Sequence, residues 1–315
     1  PTTFERVPAI RHKLARSESE IDLARESRGY WDSALLALRR DRLTLAAFAM
    51  LLVTALFCFV LARPVTEALG IDPNDTDPLI AFEGPSVAHP MGVDQVGRDQ
   101  LARLLYGGRV SIGIGFFAAV IIMTIGLALG SIAGFYGKIV DDVVMWFINN
   151  LNSIPFILLL LIISLLFKPT ALTLSFVIGL VSWTEISRIG RGQVLEVKEM
   201  EYGTAGRALG TPTACLIVRH ILPNVVPVAI IFSAQVIGGV ILIESALSFL
   251  GLGIQPPTSS WGGTLNDGRS LIRFFPHITF FPGVMIFVTV LAFNLFGDGL
   301  REALDPTQRR HAAKG

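Results

Sequence analysis

Residues 198–224 read KEMEYGTAGRALGTPTACLIVRHILPN, a short polar stretch set between strongly apolar segments. Tyr202, Ala205 and Leu209 recur at helical spacing, so the first half predicts a helix with one weakly apolar face. Gly210 is a natural stop, because glycine enters the left-handed region cheaply. Thr211 then suits an N-cap, and Pro212 suits the first helical position, where its missing N–H costs nothing. Ala214, Ile217, Val218 and Ile221 give a second helix its own apolar stripe, and Pro223 and Pro227 open the next apolar run. Two readings of this helix–glycine–helix stand side by side. One is an element that docks into a groove on a soluble partner. The other is an ordinary interfacial loop.

Working outward, the flanking segments decide the class. The chain has 315 residues, 52% of them apolar and only 16% charged. A soluble domain carries about a quarter charged residues, and here the deficit comes from long apolar runs. Six runs predict spans, at about 43–62, 111–134, 143–167, 171–187, 225–247 and 279–297. Each is near the length needed to cross about 30 Å of hydrocarbon. The fourth is the shortest. The third carries Asn149, Asn150, Asn152 and Pro155, a polar patch with a kink expected in mid-span. The expectation is an all-α polytopic membrane protein of six transmembrane helices. Its segments are a cytoplasmic N-terminal stretch (1–42), a first span with an outer loop (43–99), a core of five spans (100–300) with a cytoplasmic loop at 188–223, and a tail (301–315). The polar first 40 residues are too long for a signal-peptide head, so the first span is expected to remain uncleaved.

Orientation follows from lysine and arginine. Arg6, Arg11, Lys13, Arg16, Arg25, Arg28 and Arg39–Arg42 crowd the N-terminal side. Arg188, Arg191, Lys198, Arg207 and Arg219 crowd the 188–222 loop, and Arg301, Arg309, Arg310 and Lys314 the tail. The bias puts both termini and the helix–glycine–helix in the cytoplasm. Cys58 then lies in an apolar run and Cys215 in the cytoplasmic loop, so they form no structural disulfide. Residues 19–42 predict either a helix on the inner face or a solvated basic flank, and 64–92 a loop rich in Pro, Asp and Gly.

Residues 92–111, GVDQVGRDQLARLLYGGRVS, contain a short amphipathic helix, with Leu101, Leu104 and Leu105 on one face and Asp99, Arg103 and Arg109 staying polar. Such a stripe usually lies on the bilayer or on neighbouring spans. Its Gly92, Asp94, Gly97, Arg98, Asp99, Arg103, Tyr106, Gly107, Arg109 and Ser111 resemble the entry to the second span in the peptide/nickel branch of ABC transporter permeases, the C-type subunit of dipeptide and oligopeptide systems. Residues 244–261, ESALSFLGLGIQPPTSSW, resemble the outer loop of that branch, and 297–306, GDGLREALDP, its C-terminal signature. The opening stretch resembles the coupling (EAA) loop of importer permeases through Thr204, Ala205, Gly206, Gly210, Leu222 and Pro223. Thr204 stands where the family has Glu, and Gly206 where it has the second Ala. The resemblance covers roughly residues 30–308.

The resemblance implies a type I ABC importer permease fold, a paralogous permease as heterodimer partner, two ATPase subunits on the cytoplasmic side, and an extracytoplasmic substrate-binding protein. It implies a bacterial or archaeal plasma membrane, and di- or oligopeptide substrates, with nickel or oligosaccharides as the alternative. Coupling to the ATPases falls to Glu201, Thr204, Ala205, Gly206, Arg207, Gly210 and Pro212. No GxxxxGK[ST] loop exists in the sequence, so ATP and Mg are expected on partner subunits, with no cofactor, metal site or catalytic residue in this chain. Two other classes compete: an ion-coupled secondary transporter, whose internal repeat is not visible here, and a membrane scaffold.

Individual residues carry open readings. Glu244 is an acid in an apolar run, and would wall the path near its outer mouth, sit hydrated at the surface, or cap the next helix. Asn149, Asn150 and Asn152 would bond between helices or line the path, the former being the commoner use. Gly113, Gly115, Gly126, Gly130 and Gly134 predict close packing against the paired subunit. Gly251, Gly253, Pro256, Pro257 and Trp261 predict a stiff outer loop with an interfacial aromatic, either a bilayer anchor or, with Arg98, Asp99 and Arg103, a docking surface for the binding protein.

Overall fold

The computed structural model describes residues 35, 38–166, 169–199 and 222–304, and the described residues are mainly helical, with one long loop at 70–99. We number the helices α1 (Arg42–Leu69), α2 (Gln100–Tyr136), α3 (Lys138–Ser153), α4 (Phe156–Leu166), α5 (Ala171–Glu199), α6 (Leu222–Phe249), α7 (Trp261–Asp267) and α8 (His277–Leu304). Five are long and apolar enough to cross a membrane, and the α3–α4 pair meets the same test when its two helices, bent by 85°, are taken together. Large apolar side chains such as Phe116, Leu172, Phe176, Phe280 and Phe287 point outward, as befits a surface solvated by lipid.

The helix ends follow local chemistry. Asp41 caps α1, accepting from the backbone N–H of Leu43 and Thr44, and the helix stops at Gly70, whose φ of 65° suits glycine. Between these, Leu56–Leu61 forms a π-helical turn, so α1 extends beyond the expected 43–62 and takes in the start of the expected outer loop. Pro155 lacks an N–H and pushes Ile154 to an extended conformation (φ −86°, ψ 129°). The expected kink is thus a break of 85° between α3 and α4.

Helix α2 departs furthest from expectation. It runs 37 residues, roughly 55 Å at 1.5 Å per residue, well beyond the ~30 Å of hydrocarbon. Residues 100–110 are therefore its outer end rather than a separate helix on the bilayer, and Leu104, Leu105 and Arg103 are buried. Helix α5 also continues past its expected end at 187, so Arg188, Arg191 and Lys198 ride on a helix rather than a loop.

The main core sits where α2, α4, α5 and α6 meet, around Ile114, Ile122, Leu160, Ile178, Val181 and Val240. A second cluster, Cys58, Leu104, Ile241, Trp261 and Ile286, ties α1, α6, α7 and α8 to the outer end of α2.

The glycines of α2 explain how tightly the core closes. A Cβ at Gly126 would come within 2.9 Å of Ile186, one at Gly134 within 2.8 Å of the Arg191 carbonyl, and one at Gly130 would overlap the Ser187 carbonyl. Gly115 faces Ile241 and Ile237 of α6, and Gly113 faces open space. The close packing expected against a paired subunit is therefore spent, for all but Gly113, within this chain. The 19–42 helix lies outside the described residues except for a few helical positions at its end, and residues 305–306 of the C-terminal signature also lie outside them.

Candidate functional site

The C-terminal end of α5 precedes residues 200–221, and two contacts fasten it to α2 and α3. Arg191 of α5 forks onto Asp141 of α3, Nε to Oδ1 and Nη2 to Oδ2, both at 2.5 Å. One turn beyond the zipper of glycines, Lys198 Nζ donates to the Phe135 carbonyl at 2.5 Å and lies over the Phe135 ring. That carbonyl belongs to the last turn of α2, where helices leave acceptors unpaired. The lysine thus caps α2 from α5. With the glycine contacts, α2, α3 and α5 share one stiff inner end. The expected coupling residues Glu201, Thr204, Ala205, Gly206, Arg207, Gly210 and Pro212 lie outside the described residues.

The asparagine patch sits beside this clamp. Arg188 Nη2 donates to Asn149 Oδ1 at 2.8 Å, and Thr184 Oγ1 to Asn152 Oδ1 at 3.1 Å, both from α5 to α3. Asn150 Nδ2 bonds its own helix at the Trp146 carbonyl, 2.7 Å away. Two of the three therefore bond between helices. All three remain exposed in the single chain.

Glu244 has no accessible surface. Ser111 Oγ of α2 donates to its Oε2 at 3.0 Å and Ser248 Oγ to its Oε1 at 2.7 Å. The same Ser111 hydroxyl accepts from the Trp261 backbone N–H at 3.1 Å. Glu244 is thus the hub of a joint between α2, α6 and α7, and neither a hydrated surface acid nor a wall open to a path. Its burial is tolerated because hydroxyl donors meet both oxygens.

Trp261 is equally buried, with Nε1 donating to the Leu104 carbonyl at 2.8 Å. The expected interfacial anchor is a core residue, because Gly108 of α2 leaves room for its ring. Its neighbours Pro256 and Pro257, joined by a cis peptide bond, remain exposed.

An ionic network holds the loop ahead of α2. Asp94 Oδ1 accepts from the backbone N–H of Val96 and Arg98, and its Oδ2 from Arg98 Nε at 2.7 Å. Arg103 Nη2 reaches Asp267 Oδ2 at 2.7 Å, linking α2 to α7. Burial pushes the Asp267 carboxyl above the usual range, against the opposing pull of Arg103 and Arg98. Asp99 caps α2 through the Ala102 N–H and pairs with His89 Nδ1 at 2.9 Å. Arg98, Asp99 and Arg103 therefore turn their polar atoms inward. Asp141 and Asp267 carry joints but had no signal of their own in the sequence, whereas Arg191 entered only as one of the basic residues that set orientation and Ser111 only through the resemblance.

The arrangement is a helical bundle with one joint around Glu244 and another around Asp141 and Arg191. The family model described as "Binding-protein-dependent transport system inner membrane component" matches residues 126–310. The oligopeptide transport system permease protein OppC of Escherichia coli (strain K12) is 38% identical over 286 residues, 90% of this chain and 93% of that protein. OppC of Bacillus subtilis (strain 168) is 33% identical over 91% of this chain and 93% of its own length. The glutathione transport system permease protein GsiD of Pectobacterium atrosepticum is 41% identical over 71% of this chain and 74% of its own length. The chain belongs to the family of binding-protein-dependent transport system inner membrane components, and is a transport permease with the type I ABC importer permease fold.

Proposed function

We propose that this chain is one of two permease subunits of an ATP-driven importer of di- and oligopeptides. The observation that carries the reading is similarity over 71–91% of the chain to permeases named for oligopeptide and glutathione transport. A paralogous permease completes the path. A binding protein delivers substrate outside, and exposed Pro256 and Pro257 offer it a contact, while Arg98, Asp99 and Arg103 fix the loop ahead of α2 through their ion pairs. Two ATPase subunits bind ATP and Mg on the cytoplasmic side. They grip the segment holding Glu201, Thr204, Ala205, Gly206, Arg207, Gly210 and Pro212. Both termini lie in the cytoplasm of a bacterial or archaeal cell.

The mechanism is mechanical. Closure of the ATPase dimer displaces the 200–221 segment. Because α5 is zipped to α2 and forked to α3, that displacement moves three helices as one body. A packed interface of this kind has discrete positions rather than continuous ones. The test is uptake of a labelled tripeptide by proteoliposomes containing the complete importer. Uptake should require ATP inside the cytoplasmic compartment and survive collapse of ion gradients. Uptake that persists without ATP and stops with the ion gradient would contradict the proposal.

A further inference from the structure

We propose that the groove between α5 and α6 is a stretch of the translocation path, in which Glu185 receives the protonated amino end of a passing peptide. The ligand class rests on the peptide reading above, whereas the path assignment stands on the groove itself.

Glu185 lies 14 residues into α5, roughly 21 Å along a helix rising 1.5 Å per residue, and so within the hydrocarbon thickness. Its carboxylate is exposed and, among the described residues, has no ion pair or hydrogen bond. Two other acids of the bundle have partners. Asp141 is forked by Arg191, and Glu244 is met by two serines. The nearest basic residue along the helix, Arg188, donates to Asn149. An ionisable side chain left alone at membrane depth is expensive, and persists where it faces a cavity or a partner.

A cavity is what it faces. Glu185 lines a groove of about 280 Å³ together with Ser182 of α5 and Gln235, Gly239 and Phe232 of α6. Ser182 Oγ is buried without a hydrogen-bond partner. Gln235 is held at one side by Nε2 donating to Asp298 Oδ1 at 2.9 Å. The groove therefore offers a carboxylate for an ammonium group and a hydroxyl and an amide for peptide bonds. Phe232 adds an apolar wall that accepts side chains of many shapes. Gly239 sharpens the case. Glycine within a helix costs about 1 kcal/mol relative to alanine, and its neighbour Gly238 is there because Phe293 packs 3.1 Å from where a Cβ would stand. At Gly239 a Cβ would meet nothing within 4 Å. Packing inside the chain does not call for that glycine, and a passage does.

The test uses the complete importer in proteoliposomes, with Cys58 and Cys215 replaced by serine in the cysteine variant. Glu185→Cys should react with a small cationic methanethiosulfonate, at a rate that changes when ATP and loaded binding protein are added. Glu185→Gln should lower uptake of a tripeptide with a free amino end by about tenfold, the scale of one charge-assisted hydrogen bond, and lower uptake of its N-acetylated form much less. Gly239→Phe should obstruct uptake while the complex still assembles. A Glu185→Cys thiol that stays unreactive in every state would overturn the path. So would loss of the partner permease from the Glu185→Gln complex, which would place Glu185 in a subunit interface. If the Glu185→Cys thiol reacts in step with the ATP cycle but the native importer moves no peptide, the path stands and the peptide ligand falls.

Discussion

Gly130 of α2 lies backbone to backbone against Ser187 of α5, so closely that a Cβ at 130 would overlap the Ser187 carbonyl. This contact, with Gly126 and Gly134 a turn away on either side, lets two membrane helices touch along their length. In lipid there is no hydrophobic drive between apolar helices, so close packing carries the association.

Gly130→Ala should therefore destabilise the purified complex by about 1–3 kcal/mol, the usual cost of overpacking a filled interface. Gly113→Ala is the control, since a Cβ there meets nothing within 4 Å. Thermal unfolding in detergent should show a lower midpoint for the first variant and an unchanged or slightly raised one for the second, since alanine favours a helix over glycine.

The Asp141–Arg191 fork should behave as a unit. Removing either side chain leaves a half-buried charge without its partner, a loss of about 1.5–3 kcal/mol for hydrogen bonds between charged groups. ATP-driven uptake should fall in Asp141→Ala and in Arg191→Ala, and the double variant should be little worse than either single one. Strictly additive losses would show that the two residues act separately.

Glu244 gives a different expectation from a path residue. Glu244→Ala strands the Ser111 and Ser248 hydroxyls in the core, at about 1–3 kcal/mol per unsatisfied group. Glu244→Gln keeps one acceptor and should retain most stability and uptake. Protease cleavage within 250–260 should speed up in the alanine variant, because α7 loses the joint through Ser111.

Asp267 predicts a pH dependence. Its folded-state pKa is raised by burial, so the folded chain binds this proton more tightly than the unfolded one. The resulting stability is complete below the unfolded pKa of about 3.9 and is lost as pH rises through the folded value. Asp267→Asn removes that slope. The stability of the native chain relative to this variant should fall as pH rises from about 4, measured by thermal midpoints across the acid range.

The membrane spans were legible because apolar runs about 20 residues long have few other uses. Their ends were not. The outer end of α2 reads as an amphipathic surface helix, and only tertiary burial beneath α7 turns it into a continuation of the span. Pro155 announced a break but not its 85° size, which depends on where α4 finds packing against α5. The glycines announced close contact but not the partner, because spacing does not say which helix comes near. Residue type makes Trp261 an interfacial aromatic and leaves Glu244 open between a path wall, a hydrated surface acid and a helix cap. The structure buries both because Gly108 opens a slot for the indole and serines supply donors for the carboxylate. Glu185 left little trace, since one acid among Ser, Thr and Trp does not interrupt an apolar run.

In the proposed mechanism, motion enters from the cytoplasm through the segment that follows α5. Cys215 lies in that segment, and the other cysteine, Cys58, is buried. Labelling with a membrane-impermeant maleimide reads the side directly. The account predicts that Cys215 reacts in inside-out vesicles stripped of ATPase subunits, is protected when those subunits rebind, and stays unlabelled in right-side-out vesicles. Labelling from the outer face would place the segment beyond the reach of any cytoplasmic ATPase and contradict the account.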